Sequence, residues 1–328
     1  MSAITPEAIM RIAMGFMAAK HLFVATAIGI FEKLADVPAT PDELAAKCGI
    51  PVRTLRISAD AMVSLGLLER DGERYRNTAV TAAYLAGAVG PDLRPAMRFL
   101  DRISYPTWMN LEEAVRRGEG QSHFGRFTEE DQQIFSAGVE AITAGMATSL
   151  PEVYDFSPHR QVLDVGGGTG SFLLPLLRRY PALQATLFEL PGACTVARQR
   201  LADKPERDRV AVVEGNFFTD PLPDGHDVMI VANTLHVLSI DSNLALLDKM
   251  HRHAAAGTRL LLVDWWMDPT RTQPTAAALI SGEFLVVSGE GRAYAEVEAD
   301  AWLKQTGWRK LDLRSLAGAG GVIVAEAA

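Results

Sequence analysis

The stretch "VLDVGGGTGSFLLPLLRRYP", Val162 to Pro181, decides the fold. An apolar strand runs into four glycines within the five positions 166–170 and then into a leucine-rich amphipathic helix. Glycine lets the backbone approach a ligand with no Cβ in the way, and the helix behind it offers unpaired N–H groups beyond the strand's carboxyl end. Downstream, "ATLFEL" (185–190), "VAVVEG" (210–215), "DVMIVAN" (227–233) and "RLLLVDWW" (259–266) repeat short apolar runs between helical stretches. That alternation predicts an α/β fold, a mainly parallel sheet with helices on both faces. Last come "WRKLDLRSL" (308–316) and "GGVIVAEA" (320–327), whose short glycine-rich connection predicts an antiparallel pair at the sheet edge.

Before Pro151 the chain is helical. "EAIMRIAMGFMAAKHLFVATAIGIFEKLAD" is apolar around much of its circumference, which predicts helices packed on both sides, as in an interlocked homodimer. Its most apolar run, His21 to Phe31, is well short of the roughly 20 residues that span a bilayer and reads as a buried helix. Thr40 and Glu43 have capping-box spacing, Gly49 marks a helix stop, and a second helix starts after Pro51. A hairpin turning at Asp71-Gly72 completes a winged-helix pattern. A DNA reader needs a basic recognition helix, whereas this one offers only Arg53 and Arg56 among balancing acids, so a dimerising wing is preferred over a DNA-binding one. The organisation read from these signals is a helical winged-helix-like dimerisation domain over 1–100, a helical connector to the substrate pocket over 101–150, and a cofactor-binding domain over 151–328.

Composition narrows the function classes. The 328 residues are 48% hydrophobic, enough for two ordinary domains. A net charge of −8 provides no broad attraction for nucleic acid or an anionic membrane. Cys48 and Cys194 are the only cysteines, and no secretory pattern opens the sequence, so both read as free thiols in a cytoplasmic protein. No His, Cys and carboxylate cluster has metal-ligand spacing.

The glycine loop reads G-x-G-x-G through Gly166, Gly168 and Gly170; a dinucleotide fingerprint would need glycine where Ser171 stands. Glu189 ends the second strand of the sheet, where a carboxylate can accept both ribose hydroxyls, and Asn216 and Phe217 follow the third, placed for an adenine edge and face. With "DVGGGTG", "FELPG", "GNFFTDPLP" and "TLHVLS" in that order behind a helical winged half, the chain resembles the plant-type small-molecule O-methyltransferases, the caffeic acid and hydroxyindole family with its bacterial natural-product branch. The resemblance implies a Rossmann-like class I methyltransferase domain and a homodimer. It implies S-adenosylmethionine (SAM) as cofactor, with S-adenosylhomocysteine (SAH) as product, held by Gly166, Gly168, Gly170, Glu189, Leu190, Gly215, Asn216, Phe217 and Asn233. It also makes His236 the general base and Asp264, 28 residues on, the acid that orients it.

The chemistry asks for little more. A sulfonium methyl is already activated, so transfer to the hydroxyl of a small aromatic or enolic acceptor needs proximity and a deprotonated oxygen, and a histidine suits that proton. Two departures from the family stand out: Val237 and Leu238 follow His236 where Asp-Trp is common, and Ala293 occupies the usual place of a second glutamate, with Glu290 nearby. They keep open a non-methylating reaction on the same SAM fold. Phe16, Met17, Tyr105, Trp108 and Met146 are the candidates to line the acceptor pocket, and "LISGEFLVVSGEGRAY" (279–294) is expected to close it.

Overall fold

The computed structural model describes residues 5–87, 91–122 and 126–328. They form two compact units: residues up to Pro106 together with Ala137–Ile142, and Thr107–Ser136 together with Thr143–Ala328. The stretch read as a connector is thus divided between them.

The first unit begins with α1 (Glu7–Ala13) and α2 (Gly15–Ala27), one apolar helical run interrupted at Met14. By length and composition alone, Glu7–Ala27 is the one helix among the described residues that could cross a membrane, and little of it is buried in the chain. Ile9, Ile12 and Phe16 are 72, 79 and 52% exposed. The expected burial therefore holds only from the second half of α2 onward, where Phe23, Ala25, Ile30 and Phe31 enter the core. Helix α3 (Pro41–Cys48) starts at the Thr40–Glu43 capping box and stops at Gly49, which takes the left-handed conformation the stop requires. Helix α4 (Val52–Ser64) packs Leu55, Ala59 and Met62 inward. Strands β1 (Leu68–Asp71) and β2 (Arg74–Asn77) pair antiparallel around Gly72, and Ala39 bridges Tyr75 to widen the wing. The wing's arginines are met by acids: Arg70 by Asp60 and Glu73, Arg74 by Glu43, Arg76 by Glu69. Such pairs neutralise the charge a phosphate backbone would need.

Helix α5 (Glu129–Val153), capped by Thr128, contributes residues to both units. The second unit is a seven-stranded sheet: β3 (Gln161–Val165), β4 (Gln184–Glu189), β5 (Val210–Glu214), β6 (Val228–Ala232), β7 (Arg259–Asp264), β8 (Trp308–Ser315) and β9 (Gly321–Ala327). Their spatial order is β5-β4-β3-β6-β7-β9-β8, parallel except where β9 runs against both β7 and β8. The antiparallel pair forms as expected, but only β8 is an edge. β9 lies inside the sheet, because its apolar run is buried on both faces whereas β8 carries exposed polar residues.

Alternation along the strands divides the core. Val162, Ala185, Val228, Ile230, Leu261 and Val324 pack on one face with α6 (Leu173–Arg179), while Leu163, Phe188, Met229, Val231, Leu260 and Ile323 pack on the other. The second face is covered by α8 (Ile240–His253) and α10 (Glu296–Gln305). Of the remaining helices, α7 (Pro191–Leu201) follows β4 and α9 (Thr275–Ser288) follows β7. From β3 the chain winds outward through β4 and β5, then returns to lay β6 on β3's other side. That reversal opens a crevice at the carboxyl ends of β3 and β6, the usual ligand position in such sheets.

Candidate active site

The loop after β3 is built around close approach. Gly168 has φ +57° and faces open space, so a side chain there would be strained and would enter the crevice. Beneath Gly167 lies Asp164, fully buried, and neither carboxylate oxygen has a hydrogen-bond partner among the described residues. Burial, reinforced by the nearby Glu189 charge, pushes the Asp164 carboxyl up to about 7. Glu189 ends β4, and burial raises its carboxyl against the lowering effect of backbone N–H groups from Leu190 and Gly168. Two carboxylates disfavoured by burial, Asp164 also by the charge of Glu189, suit a cationic ligand. SAM carries sulfonium and ammonium charges, so the glycine cradle and these acids fit it.

The adjoining strand ends complete this half. Gly215 donates its N–H to the Glu189 carbonyl at 2.9 Å. The Phe217 ring approaches Gly166, within 3.3 Å of where a Cβ would stand. Asn216 accepts the Phe218 N–H on Oδ1 at 2.9 Å, which commits that oxygen to the turn and leaves the amide nitrogen as its remaining polar end. Lys249, on α8, donates to the carbonyls of Phe217 (2.8 Å) and Asp220 (2.5 Å) and so pins this loop, a role no motif announced. Asn233 follows β6 at φ +52°, a conformation that costs a non-glycine residue energy and concentrates at functional sites. Thr234 then donates to the Gly166 carbonyl at 3.3 Å and ties this turn to the glycine loop.

Two residues further on stands His236, in the single 3-10 turn Leu235–Val237. Buried Asn243 steadies that turn by donating to the Leu235 carbonyl at 3.1 Å. His236 Nδ1 is 2.6 Å from Asp264 Oδ1, and its backbone N–H is 3.3 Å from Oδ2. The Trp265 N–H donates to Oδ1 at 2.8 Å, so three donors fix the carboxylate at the end of β7. With Nδ1–H committed to Asp264, the imidazole is left with Nε2 as its acceptor, and among the described residues nothing hydrogen-bonds Nε2. Phe284 of α9 stacks on the imidazole at 3.7 Å between centroids and 12° between planes.

The acceptor-side candidates fare unevenly. Trp108 lies with the sheet: its ring packs on Gly282 of α9 and its indole N–H donates to Glu283. Met146 is 2% exposed within the core, against Gly320. Phe16, Met17 and Tyr105 belong to the first unit, where Tyr105 meets Phe23 edge-on at 6.3 Å. Ala293 is fully buried beside Ala277 and Phe284, and donates its N–H to Ser281 at 2.9 Å. Sequence reasoning missed Asp164, Lys249, Glu283 and Phe284. Asp164 could have been found as the acid opening "DVGGGTG"; the others depend on contacts between distant segments.

Comparison with known proteins agrees with this geometry. Residues 108–309 match an O-methyltransferase domain and residues 10–87 an O-methyltransferase dimerisation domain. The tetracenomycin polyketide synthesis 8-O-methyl transferase of Streptomyces glaucescens is 32% identical, over 96% of this chain and 94% of its own. The 3-hydroxy-5-methyl-1-naphthoate 3-O-methyltransferase of Streptomyces sahachiroi is also 32% identical, over 97% and 94%. Among solved structures, human N-acetylserotonin methyltransferase in complex with SAM superposes with a TM-score of 0.90 at 26% identity, covering 99% of this chain and 98% of that one.

Proposed function

We propose, from the premise that this chain belongs to the O-methyltransferase family and takes S-adenosylmethionine as methyl donor, that it methylates a hydroxyl of a small aromatic or enolic metabolite with His236 as general base. The observation that carries the reading is the buried His236–Asp264 pair beside the glycine loop, with Nδ1 at 2.6 Å from the carboxylate. Bound SAM supplies a methyl group already activated by its sulfonium. His236 Nε2 would take the hydroxyl proton, and the oxygen so freed would bond to the methyl carbon as the bond from that carbon to the sulfonium sulfur breaks and SAH leaves. Asp264 holds the imidazole in the accepting tautomer and offsets the charge it gains. Phe284 keeps the ring from turning away. Asp164 and Glu189 favour the cationic donor, with Gly166, Gly168, Gly170, Leu190, Gly215, Asn216, Phe217 and Asn233 shaping its bed.

The names of the bacterial relatives, on polyketide and naphthoate substrates, support an aromatic acceptor. The exposed apolar face of α1 and α2 supports a homodimer, since patches of this kind on soluble proteins mark interaction surfaces. The test is incubation with methyl-labelled SAM and a panel of phenols and hydroxyquinones, wild type against His236→Ala, read by mass spectrometry. Labelled ether from the wild type and a loss of roughly 10²- to 10⁴-fold in the variant is the expected result. Full turnover by His236→Ala at neutral pH would remove the base, and consumption of acceptor without label would remove methyl transfer.

A further inference from the structure

The turn that carries His236 is too short to place itself. Leu235–Val237 is closed by the Val237 N–H on the Thr234 carbonyl at 3.2 Å and the Leu238 N–H on the Leu235 carbonyl at 3.1 Å. Hydrogen-bond geometry in a 3-10 turn is poor, so its position depends on what packs against it. Asn243 holds the Leu235 carbonyl. The rest falls to segment 289–294, which follows α9. A Cβ at Gly291 would lie 2.1 Å from the His236 carbonyl oxygen and 2.8 Å from Val237 Cα, so a side chain there would force one backbone off the other. Further along, the buried Tyr294 donates its hydroxyl to the Leu238 carbonyl at 2.5 Å.

The segment is itself anchored to the other parts of the site. Ser288 Oγ donates to the Phe284 carbonyl at 2.5 Å and receives the Gly291 N–H at 3.1 Å, which ties Gly291 to the helix end that lays Phe284 on the imidazole. The Tyr294 carbonyl accepts the Met267 N–H at 2.9 Å, on the chain running on from Asp264. One short run thus bears on the base's turn while fixed to the segments that carry its stacking partner and its orienting acid. We infer that Gly291 and Tyr294 are positioning residues for methyl transfer: together they set where the His236 turn stands, and they act on the reaction through His236. The inference rests on the proposed reading of His236 as the general base.

The test is a double-mutant cycle on kcat, at saturating SAM and neutral pH, with the phenol or hydroxyquinone that the wild type methylates fastest. Gly291→Ala should slow transfer about 10- to 100-fold, the scale of a misplacement near 1 Å. Tyr294→Phe, which loses one hydrogen bond and keeps the ring against Trp302, should slow it about 2- to 10-fold. KM for the acceptor and SAH affinity should change little. In the His236→Ala background both losses should fall to about one, since nothing is left to position. A merely structural role would carry the same loss into that background, and this result, or wild-type kcat in both single variants, overturns the inference. If Gly291→Ala does not fold, Tyr294→Phe carries the cycle alone. If no acceptor on the panel is methylated, the proton NMR signal of His236 Nδ1–H in the SAH complex decides: it should move in Tyr294→Phe, and an unmoved signal overturns the inference. His236→Ala at the wild-type rate ends the base reading and this inference with it, whereas a slow His236→Ala beside fast Gly291→Ala and Tyr294→Phe ends this inference alone.

Discussion

Replacing Asp264 by asparagine separates the charge behind His236 from the geometry that holds it. Oδ1 takes the two shorter bonds, from His236 Nδ1 at 2.6 Å and Trp265 N at 2.8 Å, while Oδ2 takes the longer one from His236 N at 3.3 Å. Asparagine can keep both shorter bonds by placing its oxygen at Oδ1, and loses only the longest when its NH₂ faces the His236 amide. The accepting tautomer survives; the negative charge opposite the developing imidazolium does not. A hydrogen bond to a charged group contributes about 1.5–3 kcal/mol and a neutral one about 0.5–1.5. The difference, about 1–1.5 kcal/mol, predicts a loss of roughly tenfold in turnover. Asp264→Ala differs in kind: it leaves three N–H groups without their acceptor, at about 1–3 kcal/mol for each that water cannot reach, and should lower the melting temperature as well. The assay is single-turnover transfer of labelled methyl at saturating SAM, beside SAH affinity and thermal melting. Asp264→Asn should fall between wild type and His236→Ala, with SAH affinity unchanged. An asparagine variant as slow as His236→Ala, or one as fast as wild type, would refute the division of labour.

Two further outcomes follow from the structure. The Asp164 carboxyl, raised from its ordinary 3.8 to about 7 by burial and by Glu189, keeps a proton that the unfolded chain has released. Stability from that proton is fully present below about pH 4 and is lost as pH climbs through about 7; the denaturation midpoint of SAM-free wild type minus that of Asp164→Asn should therefore fall across this window, and a flat difference would sink the assignment. The exposed Ile9, Ile12 and Phe16 on α1 and α2 predict a dimer that Ile12→Glu weakens, read by light scattering; a wild-type monomer at submicromolar concentration would end that reading.

Much of the fold was legible because β3 to β7 are short valine- and leucine-rich runs and the glycines after β3 admit few alternatives. Thr40, Glu43 and Gly49 marked both ends of α3 for the same local reason. What stayed hidden was non-local. Nothing in the composition of β9 says that it pairs β7 as well as β8, because strand order depends on which edge is free when the sheet closes. His236 and Asp264 could be paired through the family's spacing. Phe284 on His236, and Trp108 on Glu283, join positions that no periodicity relates.

The closed packing around Ala293 leaves no room there for a second acid. Its side chain is fully buried beside Phe284 and Ala277, and its backbone is tied to Ser281. A glutamate placed there by one substitution would push a charge into an apolar gap and displace the ring that rests on the base, at a cost of several kcal/mol. A glutamate at 293 needs a smaller residue at 284, and the variant with only that smaller residue has neither the ring nor the second acid. An engineer who wants a second acid beside the base must therefore change both positions together.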